Sequence, residues 1–346
     1  MMWSHPDFDD HEAVHFFTDR DSGLKAIIAV HSTHRGPSSG GVRFWRYARE
    51  ADALTDALRL SRGMSYKNAM AGLPVGGGKG VILSDGAPKT PEQLHAFGKA
   101  VESLGGRYVT AEDVGMSEAD MSAIAHSTGY VSGLPVASGA AGGNPGPLTA
   151  LGVYLGVKAA VAEGLGKDSV EGVHVAIQGV GSVGGGLARR LAADGARLTL
   201  ADVDGARAQA LAAELGATVV DAQAIMTVEA DVLSPNALGA ILDEHSIPRL
   251  AVPIVAGGAN NQLATADDAD RLHARGILYA PDYVINAGGI INVALEYLGQ
   301  GDRAEVEARI AEIPGRLRAI WAQSKASGRP AALVADDMAR ALIGRT

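Results

Sequence analysis

Between residues 11 and 31 apolar and polar positions alternate. Val14, Phe16, Leu24, Ile27 and Val30 fall on the apolar beat, with Asp21-Ser22-Gly23 in the middle. Strand side chains point to opposite faces in turn, so this pattern predicts a β-hairpin. Arg35-Gly36-Pro37-Ser38-Ser39-Gly40-Gly41 reads as a break. From Glu50 to Met64 the spacing turns helical, with Leu54, Ala57, Leu58 and Leu60 on one face and Gly63 near the end. A second glycine cluster, Gly72 to Gly80, leads into a strand at Val81-Ile82-Leu83. A helix over Pro91 to Leu104 and a strand at Tyr108-Val109-Thr110 follow.

The segment Gly133 to Pro147 is poor in side-chain mass and predicts an interdomain connection. Beyond it short apolar strands (Val173 to Ile177, Arg197 to Leu200, Thr218 to Val220, Asp231 to Leu233, Ile254 to Ala256) alternate with Ala-rich helices such as Gly186 to Ala193 and Ala206 to Leu215. That rhythm predicts a doubly wound parallel sheet. Two amphipathic helices, Ala304 to Ala322 and Ala331 to Ile343, close the chain, and no repeat of solenoid period is present. The expected fold class is α/β in two domains, a mixed α/β domain over 1–135 and a Rossmann-type domain over 136–325 with a cleft between them. A C-terminal helix over 326–346 is expected to pack back on the first domain.

Composition narrows the chemistry. The chain has 346 residues, 47% of them hydrophobic, which suffices for two cores. A formal net charge of -9 disfavours nucleic acid and anionic membranes as partners. With no cysteine there is no thiolate nucleophile, disulfide or cysteine-ligated metal. The first residues lack a signal-peptide pattern, and no unbroken apolar run reaches membrane-span length, so a cytoplasmic location is expected.

The sharpest motif follows the strand at His174 to Gln178. Gly179-Val180-Gly181-Ser182-Val183-Gly184 is a G-x-G-x-x-G run between a strand and a helix. The first glycine permits the tight turn and the second lets backbone approach a pyrophosphate. The third allows close helix–strand packing, while the helix N-terminus favours the anion. The next strand ends at Asp202, whose carboxylate can accept from both ribose hydroxyls and would repel a 2′-phosphate. NAD is therefore expected rather than NADP.

In the first half, Tyr66-Lys67-Asn68 and Gly76-Gly77-Gly78-Lys79 place two lysines among glycine and apolar residues. A lysine in a dry, glycine-lined site would exchange protons near neutral pH; the alternative is a pair of solvated loop cations. Asp113, where a strand meets a loop, is either a turn former or an acid/base. Other matches fail. Gly80 stands where a P-loop needs Ser or Thr, and Gly36 to Gly40 satisfies G-x-S-x-G without the strand and helix a nucleophile elbow requires. His11 and His15 lie in strand-like alternation, so no metal site is read there, and Asp267-Asp268 reads as a solvated helix start.

Taken together these residues resemble the leucine/phenylalanine/valine dehydrogenases, a branch of the glutamate dehydrogenase superfamily. The resemblance runs from Ser22-Gly-Leu-Lys-Ala-Ile-Ile-Ala-Val30 to the C-terminal helix. Its strongest segments are Gly36-Pro to Gly40-Gly41, Gly63-Met-Ser-Tyr-Lys-Asn68, Leu73-Pro-Val-Gly-Gly-Gly-Lys79 and Ala111-Glu-Asp-Val-Gly115. Ala259-Asn-Asn-Gln-Leu263 and Ala280 to Gly289 are similarly diagnostic. Gly86 departs from the usual Pro or Leu, beyond the lysine.

The resemblance implies NAD-dependent, reversible oxidative deamination of an apolar L-amino acid to the 2-oxo acid and ammonium. It makes Lys79 the catalytic lysine and Asp113 the proton relay. Lys67, Gly40, Gly41 and Asn261 would hold the substrate carboxylate, and Thr149, the 179–184 loop, Asp202 and Asn286 the cofactor. It also implies a homo-oligomer. Ser39 stands where glutamate-specific relatives carry a lysine, so Ser39, Ala111, Ile290 and Val293 would line a largely apolar pocket that rejects glutamate. Two rivals remain: a 2-hydroxy-acid dehydrogenase, which needs no ammonium, and a catalytically silent NAD-binding protein.

Overall fold

The computed structural model describes residues 2–135, 141–299 and 302–345. Part of the connection expected over 133–147 therefore lies outside the described residues. Two compact units emerge. The first comprises Met1–Asn144, Ile290–Val306 and Ala339–Thr346; the second comprises Pro145–Gly289 and Glu307–Met338.

The first unit opens with strands β1 (Ala13–Asp19), β2 (Leu24–Ser32) and β3 (Ser38–Trp45), then helix α1 (Glu50–Met70) and strand β4 (Gly76–Leu83). Helix α2 (Pro91–Glu102), strand β5 (Tyr108–Glu112) and helix α3 (Glu118–Ala125) follow. The sheet order is β1-β2-β4-β3-β5. The expected hairpin is β1 with β2, antiparallel from Ala13↔Val30 to Asp19↔Leu24. Strand β2, interior to the sheet, is buried on both faces: Ile27 and Ala29 join Ala53, Ala57 and Val81 beneath α1. Ala26, Ile28 and Val30 join Phe97, Tyr108 and Ile124 on the side of α2 and α3.

Two expectations are corrected here. The Arg35 to Gly41 segment is not simply a break, because Ser38–Trp45 is a strand lying parallel between β4 and β5. Its glycines are demanded by neighbouring backbone: a Cβ on Gly40 would stand 1.8 Å from the Gly78 carbonyl oxygen. Nor does α1 stop near Gly63; it continues to Met70. Gly63 sits at an exposed helical position, where glycine costs about 1 kcal/mol and tertiary packing of the helix overrides it. The extension sets Tyr66, Lys67 and Asn68 on the last turns of α1.

The second unit runs α4 (Gly146–Leu165), β6 (His174–Gln178), α5 (Ser182–Ala193), β7 (Arg197–Ala201), α6 (Gly205–Leu215), β8 (Thr218–Val219) and β9 (Val232–Pro235). It continues through β10 (Ile254–Val255), α7 (Asp267–Ala274), β11 (Leu278–Tyr279) and α8 (Asp282–Ile285). All pairings are parallel in the order β11-β10-β9-β6-β7-β8, so the sheet is the expected doubly wound one. Helix α4 has the length and mean hydropathy (1.4) of a membrane span, but half of it is buried in the structure. Asp268 is not solvated: it is buried, accepts from Thr265 N and Oγ1, and pairs with Arg271 at 2.7 Å.

Helices α9 (Gly288–Tyr297), α10 (Arg303–Ile310), α11 (Ile313–Ser327) and α12 (Ala331–Leu342) complete the chain. The single helix expected over Ala304 to Ala322 is two, because Pro314 begins a new one at α11. The chain re-enters the first unit through residues 290–306 and 339–346, where a continuous second domain was expected. There Glu296 accepts from Gly133 N at 3.0 Å and Leu134 N at 3.0 Å. Arg345 donates to the Asp9 and His31 carbonyl oxygens and to His31 Nε2, while His31 Nδ1 meets Ser65 Oγ at 2.8 Å.

Candidate active site

Alternation on β4 sends Gly78 and Gly80 toward Tyr108 and Gly77 toward Ser65 of α1. Lys79 shares the α1 face with Gly77. Its register partner on β2 is Ala29, and the pairs Ser39↔Gly77 and Val42↔Gly80 put Gly41 of β3 beside it. Small neighbours on both sides admit a lysine to the sheet interior, and Lys79 is 4% exposed. The glycine cluster does not line an open site; its missing Cβ atoms are filled by Ser32, Ser65, Ser38, Tyr108 and Phe97.

Lys79 Nζ donates to Asp113 Oδ2 at 2.6 Å. Asp113 follows the last residue of β5, and a Cβ on Gly41 would lie 2.8 Å from its Cβ, so that glycine clears the space the carboxylate occupies. Burial pulls the Lys79 ammonium below the usual lysine range, outweighing the attraction of Asp113. For Asp113, burial works upward, but Lys79 and then Arg43 overcome it and hold the carboxyl below its usual value. The pair thus combines an ionised acid with a lysine inclined to release its proton.

The other predicted residues fall as follows. Ser39, Gly40 and Gly41 on β3 pair with Val109, Thr110 and Ala111 of β5, so Ala111 is one strand away. Lys67 lies in the last turns of α1, next to Asn68, whose Nδ2 donates to Gly76 O at 2.6 Å and pins the helix end to β4. Ile290 and Val293 are half-buried on α9. Asn261 belongs to the second unit, exposed and at φ 51°.

In the second unit β6 is the strand flanked by both β7 and β9, where the strand order reverses. The glycine run leaves its carboxyl end. Gly179 has φ 82°, and a Cβ on Gly184 would stand 1.9 Å from Gly179 O, whereas a Cβ on Gly181 meets nothing within 4 Å. The middle glycine therefore faces open space, the position that must admit a phosphate. Ser182 begins α5 and is exposed, with Val183 half-buried behind it. Asp202 Oδ2 accepts from Val180 N at 2.8 Å, tying the acid to the loop. Asn286 Nδ2 bonds Asn260 Oδ1 at 2.7 Å, while Asn286 Oδ1 and Gln178 Oε1 are buried with no protein partner. Thr149 Oγ1 donates to Pro145 O at 2.9 Å on the first turn of α4. An open phosphate position, an acid at the ribose end and two orphaned buried acceptors fit a dinucleotide.

Sequence reasoning missed Arg43, Asp56 and Tyr47, which join the Lys79–Asp113 pair, and Val203, 93% exposed beside Asp202. Period-2 alternation from Gly41 would have put Arg43 on the same face, had Ser38–Trp45 been read as a strand.

Comparison with known proteins agrees with both halves. Residues 11–130 match the family model described as Glu/Leu/Phe/Val dehydrogenase, dimerisation domain, and residues 207–335 match Glutamate/Leucine/Phenylalanine/Valine dehydrogenase. The leucine dehydrogenase of Geobacillus stearothermophilus is 47% identical over 335 residues, 96% of this chain and 91% of the relative. The valine dehydrogenase of Streptomyces albus is 46% identical over 339 residues, 97% of this chain and 93% of the relative. The crystal structure of L-tryptophan dehydrogenase from Nostoc punctiforme superposes with a TM-score of 0.86 at 41% identity, covering 97% of this chain and 96% of that one. With both halves matched and the likeness running nearly end to end, the chain belongs to the Glu/Leu/Phe/Val dehydrogenase family.

Proposed function

We propose that this protein catalyses the reversible oxidative deamination of an apolar L-amino acid with NAD, in the cytoplasm and as a homo-oligomer. The reaction is L-amino acid + NAD⁺ + H₂O giving 2-oxo acid, ammonium, NADH and a proton. The observation that carries this reading is the 2.6 Å contact between a nearly buried lysine and an aspartate. Family membership supports a nicotinamide dinucleotide, and the description of residues 11–130 as a dimerisation domain supports the oligomer. The first unit is assigned to the amino acid and the second to the dinucleotide.

In this reading Lys67, the Gly40-Gly41 backbone and Asn261 hold the substrate carboxylate. The bound dinucleotide supplies the hydride acceptor. Loss of hydride from Cα leaves an iminium, and neutral Lys79 takes a proton from the water that adds to it. The resulting ammonium then faces the developing alkoxide. Asp113 takes the proton that the substrate ammonium gives up before hydride loss and returns it to the nitrogen of the adduct. As that nitrogen departs, the hydroxyl proton is released and Lys79 hands its proton to the ammonia. Gly179, Gly181, Ser182, Val183, Gly184, Asp202, Thr149 and Asn286 hold the dinucleotide, and Ser39, Ala111, Ile290 and Val293 face the side chain.

The test is absorbance at 340 nm with NADH, ammonium and the 2-oxo acids of leucine, valine, phenylalanine, tryptophan and glutamate. Oxidation that requires ammonium and proceeds with an apolar oxo acid is expected. Burying an unpaired distal carboxylate costs several kcal/mol, so 2-oxoglutarate should turn over at least about 100-fold less efficiently. Turnover without ammonium would favour a 2-hydroxy-acid dehydrogenase. NADH binding with no turnover on any oxo acid would favour the silent protein.

The cofactor assignment carries its own expectation. Asp202→Ser should weaken NADH binding by about 10- to 100-fold, the worth of hydrogen bonds to a charged group, and narrow the preference over NADPH. Fluorescence titration of both nucleotides reads this directly. Unchanged affinity for both would remove Asp202 from the site.

A further inference from the structure

Asp113 Oδ2 accepts from two cations. Besides Lys79 at 2.6 Å, Arg43 Nε reaches it at 3.1 Å from β3. Arg43 Nη1 in turn donates to Asp56 Oδ2 of α1 at 2.8 Å, and Tyr47 Oη donates to that same oxygen at 2.5 Å. The side chains form one half-buried chain, Tyr47–Asp56–Arg43–Asp113–Lys79, with Lys79 at its dry end.

We infer that Arg43, fixed by Asp56 and Tyr47, is a positioning residue that decides whether Lys79 keeps or releases its proton beside an ionised Asp113. The inference rests on the function proposed above, since it concerns the same reacting pair. A lysine and an aspartate alone in a dry site form an ion pair, and the lysine then keeps its proton. A second cation on the same oxygen shares the carboxylate's field and repels the ammonium. The acid stays ionised while the lysine is freed to act as a base.

Among the described residues, the charged groups that act on Lys79 are Asp113 at the end of β5, Arg43 of β3 and Asp56 of α1. The register partner on β2 is the uncharged Ala29. Glu112 is exposed and feels Glu118 and Asp120 as well as Asp113. Arg43 and Asp56 act on Lys79 with opposite signs, the cation favouring release of its proton and the anion favouring retention.

That opposition gives the test. The rising limb of the kcat/KM–pH profile for deamination should move up by about one pH unit in Arg43→Gln and down in Asp56→Asn. Arg43→Lys, which keeps the charge and loses the fork, should return the limb toward the wild type. A purely structural Arg43 would lower kcat/KM at every pH and leave the limb in place, which would overturn the inference. A wild type without ammonium-dependent turnover sinks the proposed function instead, and the pH dependence of unfolding then decides this point separately. A lysine with a depressed pKa makes stability rise with pH above that pKa. The Tm difference between wild type and Arg43→Gln should therefore widen between the two pKa values, and a constant difference would refute the assignment.

Discussion

Lys79→Ala should lower ammonium-dependent NADH oxidation by about 10³-fold or more while leaving NADH binding intact. Acid–base catalysis by a positioned side chain contributes typically 10²–10⁴, and in the proposed mechanism one lysine both activates the water and faces the alkoxide. Folding should survive the change. Alanine in a mid-strand position between Ala29 and Gly41 introduces no bulk, and Asp113 keeps Arg43 as its counter-ion. The nucleotide loop lies in the other compact unit. Steady-state rates at 340 nm paired with fluorescence titration of NADH separate these effects. Activity within tenfold of the wild type would remove Lys79 from the chemistry.

Gly77→Ala should strongly destabilise the first unit. Its Cβ would stand 2.0 Å from Ser65 N and 2.4 Å from Ser65 Cα, so the clash is with the backbone of α1 rather than with a side chain that can swing away. Relief requires α1 to lift from β4, parting Asn68 from Gly76 O and disturbing Ser65 against His31. Overpacking typically costs about 1–3 kcal/mol, and with rigid backbone on both sides the upper end or beyond is expected. At about 2–4 °C per kcal/mol for a unit of this size, Tm should fall by roughly 6–12 °C, as read by scanning calorimetry. Gly63→Ala is the internal control, because a Cβ there meets nothing within 4 Å. An equal response from the two would mean that the close approach of α1 to β4 is not what Gly77 serves.

What the chain reveals in advance depends on whether its signal is carried by side chains. The β1–β2 hairpin was legible because alternation of Val14, Phe16, Leu24 and Ile27 follows the two-residue repeat of a strand. The parallel sheet was legible because short apolar strands alternated with Ala-rich helices. Strand β3 was not, since Ser38, Ser39, Gly40 and Gly41 carry no apolar beat. The size of Gly40 and Gly41 is dictated by the backbone of Gly78 and Glu112 across the sheet, a long-range demand that local composition cannot announce. The same lack of local signal hides Arg43, whose place beside Asp113 depends on strand β3. Lys79 and Asp113 could be singled out by residue type and setting, but their 2.6 Å contact joins residues 34 apart in sequence. Asp268 shows the converse error: an acidic run suggested solvent, whereas the second acid satisfies its own helix start through Thr265 and Arg271.

The return of the chain to its first unit bears on the order in which the protein can be made. Arg345 bonds Asp9 O and His31 O, partners 336 and 314 residues earlier, and Glu296 caps amides at Gly133 and Leu134 from 163 and 162 residues away. On the ribosome the five strands of the first sheet emerge long before these partners exist. That sheet must wait while the whole span from Pro145 to Gly289 is synthesised. Contacts of such separation close late and slow the final step of folding. The second unit has its six-stranded sheet complete by Tyr279 and its last segment by Met338, before the first unit receives Ala339–Thr346, so it can reach a settled state first. The half that carries the lysine and aspartate is begun first and finished last, and reactivation after dilution from denaturant should lag behind recovery of NADH binding.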